Sequence, residues 1–321
     1  MTALTDIPLA DIRLTGEGWD RYVFNAAPRT AALVESISRV GINTPFAVLK
    51  ADDGCTLICG YARALAAKIT GRRSVPAFVI NAGQMTDEQL LNLSIEDNRF
   101  VRPFHYFDAA RIFLAYRERC GFDDASLARE IAPRIGVPSG ERVVAQYLSL
   151  NNLAEPLRRL LAEEGLSFAH ALLLADFPAA DAETLARLFL RISANANEAR
   201  EIAEIVRDLG RIRKCAATGI IALPEIAQAR KEELRKKLRA MRYPALAAAA
   251  ETFEKLVGEL RLDTNVAVSH SPNFETDLLR INIAARSADE LASVLAKLDS
   301  ALDSGLISQI FSLPKSAAKG V

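Results

Sequence analysis

The alternation of apolar and polar positions changes character twice along the chain. Up to about residue 85, short strand-like runs alternate with short amphipathic helices, and from residue 86 to about 215 the apolar spacing is helical throughout. After a charged helical stretch, the last part returns to a helix, two strands and a helix. We therefore expect an α+β multidomain protein that begins with a small α/β domain, which suits a length of 321 residues.

In the first region the pattern predicts short strands and two helices. Gly41 and Gly71 follow the two helical runs and are expected to terminate them. Cys55 and Cys59 lie four residues apart on one predicted strand, where we expect them to share a face as small hydrophobic residues. The predicted strands cover residues 7–14, 45–50, 55–59 and 75–80, and the predicted helices cover residues 28–40 and 61–70.

The second region is predicted to be helical from end to end. Thr86 and Gln89 have the spacing of a capping box that opens its first helix. Pro103 is expected to open the next helix, which ends near Cys120. These helices precede a pair with a more specific plan.

Residues 125–132 and 140–150 predict two helices joined by a Pro/Gly turn, which is the plan of a helix-turn-helix. On the second helix, Arg142 and Gln146 lie one turn apart on a face that would enter a DNA major groove. Ser139 is expected to cap this helix or to contact a phosphate. The alternatives are an ordinary helical hairpin and an ion pair between Arg142 and a neighbouring glutamate. Four residues of the helix are expected to face inward: Val143, Val144, Tyr147 and Leu148.

The third region begins with a strongly basic helix. Residues 229–244 contain seven basic and two acidic side chains, which fits either a solvated linker or a set of sequence-independent phosphate contacts. A helix over 245–260, two strands separated by a turn at "SPNF", and a helix opened by Ser287 and Glu290 follow. Their apolar faces exceed what so small a unit encloses, so we expect a homodimer.

Composition restricts the possible functions. Forty basic residues balance forty acidic ones, so attraction to nucleic acid or to a membrane surface must come from local patches. The apolar runs fall short of the roughly 20 residues of a membrane span, and no export signal is visible. The four cysteines form no C-x-x-C pair, so structural zinc and disulfides are not indicated. We expect a cytoplasmic protein with no membrane association.

The stretch "LICGYARALAA", residues 57–67, predicts a strand, a glycine and a helix. A glycine at this junction lets an anion approach the backbone N–H groups of Tyr61 and Ala62 at the helix N-terminus. Arg63, in the first turn, would add a charge-assisted contact and is expected to be partly exposed with little packing. The alternative is a tight turn at Gly60 beside a surface arginine.

Several stretches in this order resemble the ParB family of DNA-segregation proteins over nearly the whole chain: "IPLADIRL", "SISRVGINTPFAVL", "LICGYARALAA", "IEDNRFVR" and "GLSFAHALLLADF". The third is similar to the family's G-E-x-R-x-x-A segment, which binds the triphosphate of CTP. Gly60, Arg63 and Ala66 match it, whereas Tyr61 stands where the family has glutamate. The fourth is similar to the family's E-N-x-x-R segment, with the basic residue, Arg102, one position late.

The resemblance implies a CTP site with Mg²⁺, in which Asp97 and Asn98 are the metal ligands. Because Tyr61 and Ala62 depart from the family pattern, we expect weak binding and slow or absent turnover. The implied nucleotide-binding residues are Gly41, Thr44, Gly60, Tyr61, Ala62, Arg63 and Asn98.

The resemblance further implies a homodimeric, sequence-specific binder of double-stranded DNA, associated with a nucleoid or plasmid. It would act in DNA partition or segregation, or in transcriptional control. Because the chain starts almost at its first strand, without the family's basic tail, a ParA-type ATPase partner is doubtful. Alternatives are a ParB-fold enzyme (a nuclease, a small-molecule kinase or a weak CTPase) and an oligomeric scaffold. The implied parts are a ParB-like nucleotide-binding domain, a helix-turn-helix domain, a basic linker and a dimerisation domain, over residues 1–85, 86–215, 216–244 and 245–321.

Overall fold

A computed structural model describes residues 4–25, 28, 30–51, 54–271 and 278–313. The chain has mixed α+β structure and divides into two compact units, Met1–Arg200 and Glu201–Val321. Within the described ranges, no helix is both long and apolar enough to span a bilayer. The domain boundaries given above remain predictions.

The first unit opens with a five-stranded sheet of order β1-β5-β3-β4-β2. Strand β3 pairs parallel with β5 and antiparallel with β4. The single strand predicted over residues 7–14 is wrong, since a 3₁₀ turn at Leu9–Asp11 divides it into two strands at opposite edges of the sheet. Pro8 precedes this turn and has no N–H with which to continue a strand ladder. The elements are β1 (Leu4–Pro8), β2 (Ile12–Arg13), α1 (Ala31–Val40), β3 (Phe46–Ala51), β4 (Gly54–Cys59), α2 (Tyr61–Ile69) and β5 (Ser74–Asn81).

A bulge in the β3–β4 pairing, between Ala47 and Val48, separates the two cysteines of β4. Cys55 packs in a buried cluster with residues of α2, whereas Cys59 packs in a second cluster with residues of the following helices. The expectation that the two cysteines share a face is therefore wrong. The bulge adds a residue to one strand and so breaks the two-residue alternation of side chains.

Helices make up the rest of the first unit. The predicted capping box is confirmed, because Thr86 Oγ1 accepts from the Gln89 N–H at 3.2 Å and Gln89 Oε1 accepts from the Thr86 N–H at 2.9 Å. The expectation that Pro103 opens the next helix is wrong, since His105 is the N-cap and its N–H donates to Asp108 Oδ2 at 3.2 Å. The helices are α3 (Asp87–Arg99), α4 (Tyr106–Cys120), α5 (Asp124–Ser126), α6 (Glu141–Ser149), α7 (Glu155–Glu163), α8 (Phe168–Leu174), α9 (Ala179–Arg191) and α10 (Ala196–Arg213), which extends into the second unit.

The second unit contains the predicted helix, two strands and helix. The Ser287 hydroxyl accepts from the Glu290 N–H at 3.1 Å and so caps the last long helix as expected. The predicted "SPNF" turn lies mostly outside the described residues. The elements are α11 (Ala217–Ile221), α12 (Pro224–Ala227), α13 (Lys231–Arg242), α14 (Pro244–Glu259), β6 (Val266–His270), β7 (Leu279–Ile283), α15 (Ala288–Asp303) and α16 (Leu306–Phe311).

The basic helix α13 packs against acidic residues of α10. Glu201 accepts hydrogen bonds from Arg235 at 2.8 Å and Arg239 at 2.5 Å, and Asp208 accepts from Arg242 at 3.0 Å. Burial alone would raise the pKa of Glu201, but these hydrogen bonds lower it below its ordinary value. Three of the seven basic side chains counted above are therefore engaged in structural ion pairs.

Candidate functional site

The turn between β4 and α2 places a glycine where a larger residue would collide. Gly60 is the N-cap of α2 and has φ 103° and ψ 23°. A Cβ added there would lie 2.5 Å from Cδ1 of Phe46, whose side chain is fully buried. The first-turn N–H groups of a helix, here including those of Tyr61 and Ala62, have no intrahelical partner, and Gly60 has no side chain to accept from them. Phosphate oxygens commonly bind at such a helix N-terminus.

Three oxygen atoms converge on the guanidinium of Arg63 in the first turn of α2. Nη1 donates to the carbonyl oxygens of Thr44 at 2.8 Å and Pro45 at 3.1 Å, and Nη2 lies 3.4 Å from Oδ2 of Asp97. The guanidinium also lies over the Phe46 ring, 5.7 Å from its centroid, and the side chain is 18% exposed. The expectation that Arg63 carries little packing is therefore wrong, because it joins α2 to the loop before β3 and to α3.

The structure brings together only part of the predicted nucleotide and metal set. Thr44, Gly60, Arg63 and Asp97 meet around the α2 turn. The Thr44 side chain is exposed, and its backbone carbonyl makes the contact. Gly41 lies at the start of the same loop, where it ends α1 with φ 77°. Asn98 Nδ2 donates to the carbonyl of residue 94, one turn earlier on α3, at 2.8 Å.

Trp19 is a residue of this site that the sequence patterns did not single out. Its ring centroid lies 5.1 Å from that of Tyr61, and both rings pack against the buried cluster formed by the strands and α2. The adjacent Asp20 accepts from Arg111 Nη2 through its carbonyl at 2.9 Å and its carboxylate at 2.5 Å. Burial raises the pKa of the Tyr61 hydroxyl. The sequence did contain a signal for this residue, because Trp19 is the one tryptophan of the chain and lies in a glycine-containing loop.

Hydrogen bonds hold the residues after Trp19 against α3 and α4. Ser94 Oγ donates to the Tyr22 carbonyl at 2.7 Å, and Arg21 Nη2 donates to Asp87 Oδ2 at 2.6 Å. Arg102, the basic residue of the stretch "IEDNRFVR", binds the Phe24 carbonyl and, at 2.8 Å, the buried Asp108. These contacts fix the position of the loop that carries Trp19.

The Cys59 thiol lies beside this site. It is buried and lies 3.8 Å from the Leu93 carbonyl. Burial raises the pKa of Cys59 and the nearby Asp97 charge raises it further, so the thiol is protonated at neutral pH.

The predicted helix-turn-helix is present with an irregular first helix. Asp123 Oδ1 accepts from the Ser126 N–H at 2.8 Å, and α5 continues through a π turn, Leu127–Ile131, and a 3₁₀ turn, Ala132–Ile135. The N-cap of α6 is Gly140, so the expectation that Ser139 caps this helix is wrong. Ser139 is exposed, and its contact with phosphate stays a prediction.

Helix α6 has the predicted inner and outer faces. Val144 and Leu148 are buried, and Val143 and Tyr147 pack against the same cluster. Arg142 is exposed and Gln146 is half-buried. The suggested ion pair with a neighbouring glutamate is not found among the described residues. The role of Arg142 as a DNA contact stays a prediction.

One hydrophobic core connects the α2 turn to α6. Ile58 and Cys59 at the end of β4 belong to the same buried cluster as Leu91 of α3, Phe113 of α4 and Val144 of α6. The strand that leads to Gly60 and the exposed face of α6 are therefore supported by the same helices, α3 and α4.

Comparison with known proteins gives two sequence matches, although no protein-family model matches the chain. The chain is 26% identical over 182 residues to the probable chromosome 1-partitioning protein ParB of Deinococcus radiodurans, a match covering 56% of this chain and 58% of that protein. It is 27% identical over 182 residues to stage 0 sporulation protein J of Bacillus subtilis, covering 56% of this chain and 60% of that protein. The chain thus spans about three fifths of the length of these relatives.

Two solved structures are similar in part. The C-terminally truncated chromosome-partitioning protein ParB from Caulobacter crescentus, complexed to the centromeric parS site, is 19% identical with a TM-score of 0.34, covering 62% of this chain and 98% of that chain. The same protein complexed with CTP-gamma-S is 21% identical with a TM-score of 0.23, covering 56% and 97%. TM-scores this low do not show that the whole chain shares its arrangement with these structures. The two sequence matches, together with the order of motifs along the chain, support the assignment of this chain to the ParB family.

Proposed function

We propose that this chain is a ParB-like protein that binds double-stranded DNA sequence-specifically and acts in DNA partition or segregation, or in transcriptional control. Its similarity to the partitioning protein of D. radiodurans supports this role. The observation that carries the proposal is the single core that joins β4, α3, α4 and α6. Because these elements pack together, a ligand at the α2 turn and DNA at α6 would act on the same pair of helices.

The DNA contact is assigned to α6. Its buried Val144 and Leu148 fix the helix on the core and leave Arg142 and Gln146 on the outer side. Arginine pairs bidentately with guanine and glutamine with adenine in the major groove. In helix-turn-helix proteins the N-terminal part of the second helix makes these contacts, and Arg142 is the second residue of α6.

We assign the Gly60 turn as the binding site of a regulatory nucleoside triphosphate. The nucleotide expected there is CTP. The support is the helix N-terminus opened by Gly60, the adjacent Arg63 guanidinium, and the match of both to the family's CTP-binding segment. Tyr61 occupies the position of the family's glutamate and packs on Trp19, so it supplies no carboxylate to activate water. We therefore expect binding with slow or absent turnover.

We assign the dimer contact to a stripe of leucines on α15, where a second copy of the chain would pack. Leu291, Leu295 and Leu302 are 39%, 52% and 54% exposed, and the half-buried Leu298 lies between them. Their spacing of four, three and four residues is that of a coiled-coil seam, and the buried Val294 borders this stripe. A two-fold dimer would cover this stripe and supply two α6 helices for a palindromic site.

The test is fluorescence anisotropy with labelled duplexes from the neighbourhood of the gene, against scrambled duplexes, with and without CTP. We expect the protein to bind the duplexes from the neighbourhood of the gene more tightly than the scrambled ones. This preference should be lost in Arg142→Ala and kept in Arg187→Ala. Arg187 is an exposed arginine of α9 that pairs with Glu183, so it controls for the loss of one charge. Equal binding to all duplexes would contradict the proposal. Cleavage of the DNA, or phosphoryl transfer from the nucleotide, would support the alternative enzyme.

A further inference from the structure

We propose that the Arg63 guanidinium occupies the cation position of the nucleotide site, so that the triphosphate binds without a divalent metal ion. Asp97 is then a positioning residue that orients Arg63, not a metal ligand. This inference rests on the proposed nucleotide binding and differs from the Mg²⁺ site that the family resemblance implies.

The first step concerns the oxygen atoms around Arg63. The carbonyl oxygens of Thr44 and Pro45 and the carboxylate of Asp97 come from two separate elements and meet at one point. Oxygen atoms of these kinds would suit a hard cation. Here the point where they meet holds a guanidinium of the same chain, so the cation position is filled by the protein itself.

The second step concerns which side chains remain to coordinate Mg²⁺. Asp97 is the single carboxylate among the predicted nucleotide and metal residues, and its Oδ2 already faces Arg63. Asn98 directs its amide nitrogen to its own helix. A metal bound at Asp97 would also be repelled by the fixed positive charge beside it. The residues present do not fit Mg²⁺.

The third step concerns how Arg63 still binds an anion. An arginine has five N–H donors, and its contacts with the two carbonyls and Asp97 account for three. Nη2 lies 3.3 Å from where a Cβ of Gly60 would be, so the guanidinium is adjacent to the α2 turn. The remaining donors and the free N–H groups of Tyr61 and Ala62 form one donor surface of the kind that phosphate oxygens need.

The test uses the full chain and titrates CTP by calorimetry, once in excess Mg²⁺ and once in excess EDTA. The emission of Trp19 gives a second readout, because its ring packs on the first residue of α2. We expect the dissociation constant in EDTA to equal that in Mg²⁺ or to be smaller. Binding only in Mg²⁺ would overturn this inference and leave nucleotide binding standing. Binding in neither buffer would overturn the nucleotide assignment itself.

Variants test the two roles separately. Asp97→Asn should weaken binding in EDTA and in Mg²⁺ by the same factor, whereas loss in Mg²⁺ alone would identify Asp97 as a metal ligand and refute the proposal. Arg63→Ala should abolish binding in both buffers. Lys68→Ala, which removes an exposed positive charge from the other end of α2, is the matched control and should bind as wild type does. Should Asp97→Asn fail to fold, the wild-type comparison of the two buffers still decides.

Discussion

Replacing Gly60 with alanine tests whether the α2 turn has the geometry that the site requires. The substitution adds one methyl group and meets two separate obstacles. The backbone at Gly60 has φ 103°, outside the conformations that alanine adopts readily. The new Cβ would lie 2.5 Å from the ring of Phe46. This ring is fully buried, so it cannot shift into solvent to relieve the collision.

The two obstacles can be given separate magnitudes. A residue held in a disfavoured backbone region costs about 1–3 kcal/mol. Forcing an extra carbon into a packed core costs about 1–3 kcal/mol more. We therefore expect Gly60→Ala to lower the free energy of unfolding by roughly 2–6 kcal/mol, a large share of the 5–15 kcal/mol typical of a domain.

Gly71 supplies the control for this experiment. It follows the same helix with φ 69° and has no atom within 4 Å of an added Cβ, so Gly71→Ala includes the backbone cost alone, about 1–2 kcal/mol. Urea unfolding followed through Trp19, the one tryptophan of the chain, reports on this unit. If Gly60→Ala and Gly71→Ala destabilise equally, the collision with Phe46 does not occur and the described turn is incorrect. In the Phe46→Leu background, the cost of Gly60→Ala should fall.

Three further predictions concern the DNA helix, the dimer and the ion pairs of α13. Arg142→Ala should weaken binding to the best DNA site by about 1–3 kcal/mol, measured by anisotropy, and unchanged affinity would exclude it as a base contact. Leu295→Lys should shift the chain to monomer in sedimentation, whereas Ile212→Lys, at an exposed hydrophobic residue of α10, should not. Because the folded pKa of Glu201 is depressed, its stabilisation is present above its unfolded pKa and lost as pH falls through the folded value. Below about pH 4.5 the thermal stability of wild type should therefore approach that of Glu201→Gln, and parallel pH profiles would contradict this.

Sequence patterns predicted those features that depend on residues close in the chain. The capping box at Thr86, the termination of α1 at Gly41 and the inward face of α6 each involve positions within about two helical turns. The order of helices and strands in the second unit follows from the same local periodicity. These features are encoded by spacing, and spacing is visible in one sequence.

The contacts of the site could not be predicted because they join distant parts of the chain. Arg63 meets Thr44, 19 residues away, and Asp97, 34 residues away. The bulge that turns Cys59 away from Cys55 arises from the pairing of two strands, not from the residues of one. A first-turn arginine beside a glycine predicts an anion site, but only the fold reveals that carbonyl oxygens already hold that arginine.

The same distinction decides how much of the positive charge of the chain is available to DNA. In the first unit, Arg102 and Arg111 bind backbone carbonyls and carboxylates, so their charges serve tertiary structure. In the second unit, α13 directs three of its arginines to acidic residues of α10. Counting basic residues therefore overestimates the charge available to DNA. Arg142 differs because it is exposed on a helix whose opposite face is buried, and no ion pair of its side chain is found among the residues described. In a chain of balanced charge, recognition then depends on a few well-placed side chains more than on a general positive field.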